Sequence, residues 1–418
     1  MTTRPRLSPA IADVRRAVRG ALAVLGQAGE GAGIAGAGPS SSRMHPAATN
    51  APVRRGAIAA GGRKSGGVGA ADVLVALSGG PDSLALAAAT AFEASRAGLH
   101  AGAVVVDHGL QAGSADVAAR AAERARELGL DPVVVRRVEV GTDGGPEAAA
   151  REARYAALAE AAAELGASAV LLGHTLDDQA ETVLLGLARG SGAASLSGMA
   201  PVSWPDRDGY LRPDVANAPA RPGANAASGR DREGGGSATA PDARFAYLRP
   251  LLGIRRATTL QFCVDSGLEP WHDPQNADPT FARVRVRETI LPMLEAELGP
   301  GIAEALARTA EQAREDSEAL DHFADEQAEE LAEHAEAGLS LSVKGLEHNP
   351  AALRQRIIRL AVASEFGVSL SRAQTLEVAR LVTDWHGQGE LHLPGIRVVR
   401  QGGLIVFSAA EGGAQARG

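Results

Sequence analysis

The chain is poor in several features that would have narrowed its chemistry. Its 418 residues include one cysteine, Cys263; this excludes an intramolecular disulfide and any zinc site built from several thiolates, and it fits a reducing compartment. Aromatic residues make up only 3% and lysine is scarce beside arginine, a bias of residue usage rather than a physical requirement. No apolar run approaches the roughly 18 residues of a membrane-spanning helix, and the start MTTRPRLSPA lacks the apolar core of a secretory signal. These absences predict a cytoplasmic chain with no membrane partner. The formal charge of −8 leaves no basic coat over the whole surface, so contact with a polyanion must be regional.

What is present suffices for real cores: the length allows two or three domains, and 45% of residues are hydrophobic. Residues 8–25 have helical spacing through Ile11, Val14, Val18, Leu22 and Leu25. Residues 26–70 are rich in Gly, Ala, Ser and Pro, and we read 1–70 as an amino-terminal helix followed by a flexible tail. Within the tail, GAGIAG (31–36) matches a dinucleotide fingerprint without the strand and helix that give it meaning, and GAIAAGGRKS (56–65) has the wrong spacing for a P-loop. From residue 71, short apolar runs at 73–77, 103–106, 133–138 and 170–173 alternate with helical periods to about 96, at 114–128, 146–165 and 178–187. This alternation predicts an α/β fold, a doubly wound parallel sheet over 71–298 that binds its ligand at the carboxyl ends of its strands. A second low-complexity stretch, 206–243, reads as an insert. Helical patterns at 302–331, 351–366 and 371–385, then strand-like runs at 390–393, 396–399 and 404–407, predict a carboxy-terminal α+β domain over 299–418.

Three strand-end loops carry polar residues where such a sheet places ligands. In ALSGGPDSLAL, an apolar run breaks into Ser78, Gly79, Gly80, Pro81, Asp82 and Ser83 and then enters a helix. Hydroxyls, close-approaching backbone and a helix start make an anion site, and a carboxylate beside an anion calls for a bridging cation such as Mg2+ on Asp82. Asp107 and His108 leave the second strand in VVVDHGL, where they can face a nucleotide sugar or base or simply cap the strand. In LLGHTLDDQAETVLLGLARGSG, His174 leaves the fourth strand, Asp177 and Asp178 open a helix, and Glu181 follows on the same face. Acidic residues in a first turn also serve the helix dipole; together with His174 they suit a metal or an amine. Arg151 and Arg154 share a helix face in AREARY. Arg283, Arg285 and Arg287 alternate with valines, and in a strand they would present three guanidiniums on one side to phosphates.

Taken in order, SGGPDS, VDHGL, AREARY, the GHTLDDQAETVLLGLARGSG segment, LRPLLGI and WHDPQNADPTFARVRVR resemble the tRNA(Ile)-lysidine synthetase family of PP-loop ATP pyrophosphatases. That resemblance spans about residues 71–298. It implies a ligase that uses ATP to adenylate the first anticodon cytidine of an isoleucine tRNA with a CAU anticodon, joins lysine to it, and releases pyrophosphate and AMP. It further implies ATP on residues 78–83 with Asp107 and His108, chemistry at Asp82, His174, Asp177 and Asp178 with Arg151 or Arg154, and tRNA on Arg283, Arg285 and Arg287. A PP-loop tRNA thiolase is the nearest rival, but it needs more cysteines than this chain has; a non-catalytic nucleotide- or tRNA-binding module is the rival of another class.

Overall fold

In the computed structural model, residues 8–30, 70–109, 113–141, 146–190, 192–205, 245–271, 273, 277–335 and 338–410 are described. Most of the expected tail and insert, with both rejected glycine motifs, lie outside these residues. The described residues divide into two compact units, the first within 8–181, 200–205 and 245–304, the second within 182–199 and 305–410.

The first unit opens with α1 (Pro9–Glu30) and continues as β1 (Val73–Ala76), α2 (Pro81–Ala97), β2 (Ala101–Asp107), α3 (Ser114–Glu127), β3 (Val133–Arg137), α4 (Pro146–Leu165), β4 (Ala169–Leu171) and the start of α5 (Leu176–Ala188). After α6 (Ala193–Leu196) come β5 (Val202–Ser203), β6 (Ala246–Leu248), a 3-10 turn (Pro250–Gly253), α7 (Arg256–Asp265), α8 (Ala282–Arg285), a π-helical turn (Val286–Ile290) and α9 (Leu291–Leu298). The strands form one sheet in the order β3-β2-β1-β4-β6-β5, parallel except for β5.

Alternation along the strands builds a core on each face. Val73, Val75, Ala103, Val105, Ala169 and Leu171 face one way, toward α1, α2, α3 and α7. Leu74, Ala76, Val104, Val170 and Tyr247 face the other, toward Tyr155, Leu158, Ala161 and Ala162 of α4. Fully buried strands of this kind need no polar face, which is why their sequence runs are continuously apolar. Because β1 leads outward to β2 and β3 while β4 lies on its other side, the strand order reverses between β1 and β4, and a ligand crevice is expected there.

In the second unit, α10 (Ile302–Leu331) leads to β7 (Ala332–Ala335), β8 (Gly338–Ser342), α11 (Val343–His348), α12 (Ala351–Phe366) and α13 (Arg372–Thr383), then to β9 (Leu391–Leu393), β10 (Ile396–Gln401) and β11 (Leu404–Ala409). Its antiparallel sheet runs β7-β8-β11-β10-β9. Leu341, Leu346, Ile357, Ile358, Val362, Val378, Val398, Ile405 and Phe407 form its core. None of the described helices is long and apolar enough to cross a membrane.

Two expectations change. The helix expected at 8–25, given no place in the sheet domain by its sequence, packs into the first unit's core: Val14 and Val18 are fully buried and Leu22 nearly so. The 283–287 segment is helical, not a strand; its alternating valines, Val284 and Val286, are buried, but on a helix.

Candidate active site at the β1–β4 crevice

Ser78–Ser83 form a tight turn between β1 and α2. Gly79 has φ +83°, the left-handed region that a glycine adopts without strain, and its carbonyl accepts the backbone N–H of Trp271 at 2.9 Å. Pro81 stands at the first helical position, where its missing N–H costs nothing. The buried Ser83 hydroxyl donates to the Gly80 carbonyl at 3.0 Å, accepts the Ser78 N–H at 3.2 Å and lies 3.1 Å from the Ser78 hydroxyl. Across the crevice Gly173 allows β4's end to come close, since a Cβ there would sit 3.1 Å from the Ser83 backbone nitrogen.

Asp82 leaves this turn toward α7. Its carboxylate accepts the Thr259 hydroxyl and faces Arg256 Nε at 3.4 Å. Burial raises its pKa, and the bonds to Thr259 and Arg256 oppose that rise while neighbouring Asp178 reinforces it. Arg256 is the hub of the site. Beyond Asp82 it binds Asp178 through Nη2 at 2.8 Å and Glu181 through Nη1 at 3.1 Å, and its backbone N–H donates to Asp177 at 2.7 Å. The charges on these partners outweigh burial and hold its guanidinium above its ordinary pKa. Asp178 also accepts the Thr175 N–H at 2.7 Å and hydroxyl at 2.8 Å, and despite burial its pKa is lowered, chiefly by Arg256. Asp177 meets Arg255 at 3.4 Å.

Glu181 is completely buried. Besides Arg256 it takes both Nε (2.8 Å) and Nη2 (3.1 Å) of Arg287, and Arg283 Nε lies 3.5 Å away. Helical geometry explains the pairing: Arg283 and Arg287, four apart, share a face. Arg285 points elsewhere, its exposed guanidinium donating to the carbonyls of Pro279 (2.7 Å) and Thr280 (2.8 Å). Beside these groups a cavity of about 230 Å3 is lined by the polar Asp177, Glu181, Arg255, Arg256, Arg287 and Glu295 and by the apolar Leu291, Pro292 and Ala303.

A second, basic group sits over the ends of β2, β4 and β6. Arg249, buried, donates to the Ala200 carbonyl and the Ser203 hydroxyl, both at 2.8 Å. The imidazoles of His108 and His174 each have a buried Nδ1 without a hydrogen-bond partner among the described residues. Burial first, and then the charge of Arg154, push both pKa values down, so both rings are neutral at pH 7. Burial likewise lowers the pKa of Arg154, while exposed Arg151 stacks over Tyr155 at 4.9 Å. Asp107 instead turns back on its own chain, accepting the Gly109 N–H at 2.9 Å. Burial opposes its ionisation, but that bond, Ser114 and Arg137 keep its pKa low.

The structure thus brings together residues 78–83, Asp177 and Asp178 with Arg283 and Arg287, and gathers His108, His174, Arg151 and Arg154 in a basic group whose His174 lies within electrostatic reach of Asp178. Sequence reasoning missed Arg249, Arg256 and Thr259, and took Glu181 only together with the other acidic residues as a partner for a metal or an amine. A signal existed for the arginine: Arg255 and Arg256 open α7, where the helix dipole disfavours cations, and such a local conflict marks a group held for another purpose.

Residues 59–218 match the PP-loop domain and 341–405 the TilS substrate binding domain. A tRNA(Ile)-lysidine synthase of Leifsonia xyli subsp. xyli is 59% identical over 80% of this chain and 89% of its own length. The chain belongs to the tRNA(Ile)-lysidine synthase family. Members from Streptomyces coelicolor (49% identity over 80% of this chain and 84% of that protein) and Thermobifida fusca (48% over 81% and 91%) bear the same name. The 78–83 turn lies inside the matched PP-loop domain, and α7, with Arg256 and Thr259, lies outside both matched segments.

Proposed function

We propose that this chain is an ATP-dependent carbon–nitrogen ligase acting on an isoleucine tRNA with a CAU anticodon. The cytidine O2 at the first anticodon position attacks the α-phosphorus of ATP and pyrophosphate leaves. Lysine's amine then attacks C2, its proton passes to a base, and the C2–O2 bond breaks with AMP as the leaving group. Adenylation is needed because a carbonyl oxygen is a poor leaving group toward an amine. The observation that carries this reading is the junction of the PP-loop turn with four acidic side chains, Asp82, Asp177, Asp178 and Glu181, gathered on Arg256.

Roles follow from chemistry. Backbone donors of residues 78–83 suit departing pyrophosphate. Asp82 and Asp178, two carboxylates that share the Arg256 guanidinium beside the 78–83 turn, are the residues that would hold Mg2+. When bound, the ion would neutralise phosphate charge. The cavity beside Glu181 has carboxylates that suit an amine and, in Leu291, Pro292 and Ala303, apolar groups that suit lysine's stem. Asp177, Asp178 or the neutral His174 would orient or take the amine's proton; Arg151 and Arg154 suit a carboxylate or phosphate, and Asp107 and His108 the nucleotide's sugar or base. Because methionine tRNA carries the same anticodon letters, the carboxy-terminal unit would read other parts of the RNA.

The test is mass spectrometry of nuclease-digested tRNA after incubation with ATP, Mg2+ and lysine. A cytidine heavier by lysine less water is expected; a sulfur-for-oxygen change, or AMP release equal for every amino acid, overturns the reading. Among the arginines, Arg285 is the proposed phosphate contact, since Arg283 and Arg287 are committed to Glu181. Arg285→Ala should flatten the log–log salt dependence of tRNA binding by roughly 0.7–0.9, the share of one phosphate contact, and Arg283→Ala should leave that slope unchanged. Equal slopes for Arg285→Ala and the parent chain would remove Arg285 from the interface.

A further inference from the structure

Helix α1 lies outside both matched family segments, and the reaction as described uses none of its residues. Its position in the first unit is nevertheless specific. One face packs against α2, α7 and the 3-10 turn at Pro250–Gly253, burying Val14, Val18 and Leu22. Polar contacts fix its orientation. Arg19 forks onto Glu93 of α2 through Nε at 2.8 Å and Nη2 at 3.0 Å, and the Glu93 carboxylate is buried. Arg15 stacks over Phe92 of α2 at 3.5 Å. At its start, the Ser8 hydroxyl donates to Asp265, the last residue of α7.

The two helices that α1 spans are those that assemble the PP-loop site. The loop and Asp82 form the start of α2. Helix α7 and the segment just after it reach that start at four points: Thr259 and Arg256 on Asp82, the Cys263 thiol on the Pro81 carbonyl at 3.5 Å, and the Trp271 N–H on the Gly79 carbonyl at 2.9 Å. A small sliding of α7 along α2 would alter all four together, and misplacements of about 1 Å cost up to 10²-fold in rate.

We propose that α1 is a positioning element that locks α7 against α2, and that Val14, Val18 and Arg19 thereby set the placement of Asp82 and Arg256 without touching the substrate. The alternative is a plain stabilising helix, and the two roles separate in kinetics. A stabilising helix affects how much protein is folded, whereas a positioning helix affects turnover by each folded molecule.

The experiment uses the full chain. Val18→Ala and the double variant Val14→Ala with Val18→Ala are compared with the parent for melting temperature, equilibrium ATP affinity and single-turnover AMP release, the last at a temperature well below every melting transition. The expected result is a loss in AMP release of about tenfold for the double variant, with ATP affinity within about twofold because the loop's backbone donors remain. Val18→Ile, which keeps a β-branched apolar side chain in the contact and adds one methylene, should retain most of the rate. If the double variant does not fold, Arg19→Gln, on the exposed side of one ion pair, carries the test with an expected loss of about threefold. A lowered melting temperature with AMP release unchanged in the folded variants overturns the proposal.

Discussion

Asp82→Asn is expected to slow AMP release by on the order of 10²-fold or more, while the protein melts at the same temperature as the parent or higher. The rate loss follows if the Asp82 charge helps hold a cation against the phosphates, an interaction worth several kcal/mol as charge develops on departing pyrophosphate. The stability result comes from the environment of the side chain. Burial raises the pKa of Asp82 above its ordinary value, so its ionised form is less favourable folded than unfolded. For an acid shifted upward, the stabilising contribution is present below the unfolded pKa and is lost as pH rises through the folded one. At pH 7 the charge therefore works against the fold, and a neutral amide of the same shape removes that cost. Its oxygen can still accept the Thr259 hydroxyl. Arg256 keeps Asp178 and Glu181. Thermal melting and single-turnover AMP release on one preparation decide the matter. AMP release near the parent's at saturating Mg2+ would remove Asp82 from the chemistry, and a large fall in melting temperature would show that its charge supports the fold.

Strands and helices of the first unit's centre were legible because they obey local rules. The continuous apolar runs of β1, β2 and β4 mark strands buried on both faces, and the Gly-Gly-Pro break after β1 marks a turn into a helix whose first N–H groups lack partners. Short elements escaped. β6 has three residues and adjoins the low-complexity insert, so no period develops. The arginine–valine alternation at 283–287 suggested a strand because period two fits it; pairing of Arg283 and Arg287 with Glu181 favours a helix, and that partner is about a hundred positions away. The site shows the same division. Residues 78–83 and the Asp177-Asp178 pair could be read locally. Arg256 could not be linked to Asp82 because their proximity depends on packing α7 against α2. The helical spacing of α1 was visible, but its place was not, since low-complexity sequence separates it from the strands it covers.

Arg256→Ala should have the largest combined effect of any single substitution in this site. Removing one partner from a buried ionic network strands the others, at a cost of about 3–5 kcal/mol; Arg287 and Arg283 still accompany Glu181, which places the expectation near the lower end. For a unit of this size such a loss lowers the melting temperature by roughly 6–12 °C. AMP release should also be lost, because Asp82 and Asp178 would lose the guanidinium that fixes their positions beside the 78–83 turn. The pH dependence identifies the cause. In the parent chain the pKa of Asp178 is lowered, mainly by Arg256 acting against burial, so its contribution is present above the ordinary carboxylate pKa and is lost as acid protonates it. Without the guanidinium, burial and the Asp82 charge would push Asp178 upward, and its contribution would reverse sign. The variant's deficit should therefore be smaller at pH 5 than at pH 7, measured by denaturant unfolding at both values. Adding Asp178→Asn to the variant removes the carboxylate that lay 2.8 Å from the lost guanidinium and should return part of the stability without restoring AMP release. A deficit equal at both pH values, unmoved by Asp178→Asn, would mean that Arg256 supports the fold through the packing of its side chain rather than as the shared counter-ion of Asp82, Asp178 and Glu181.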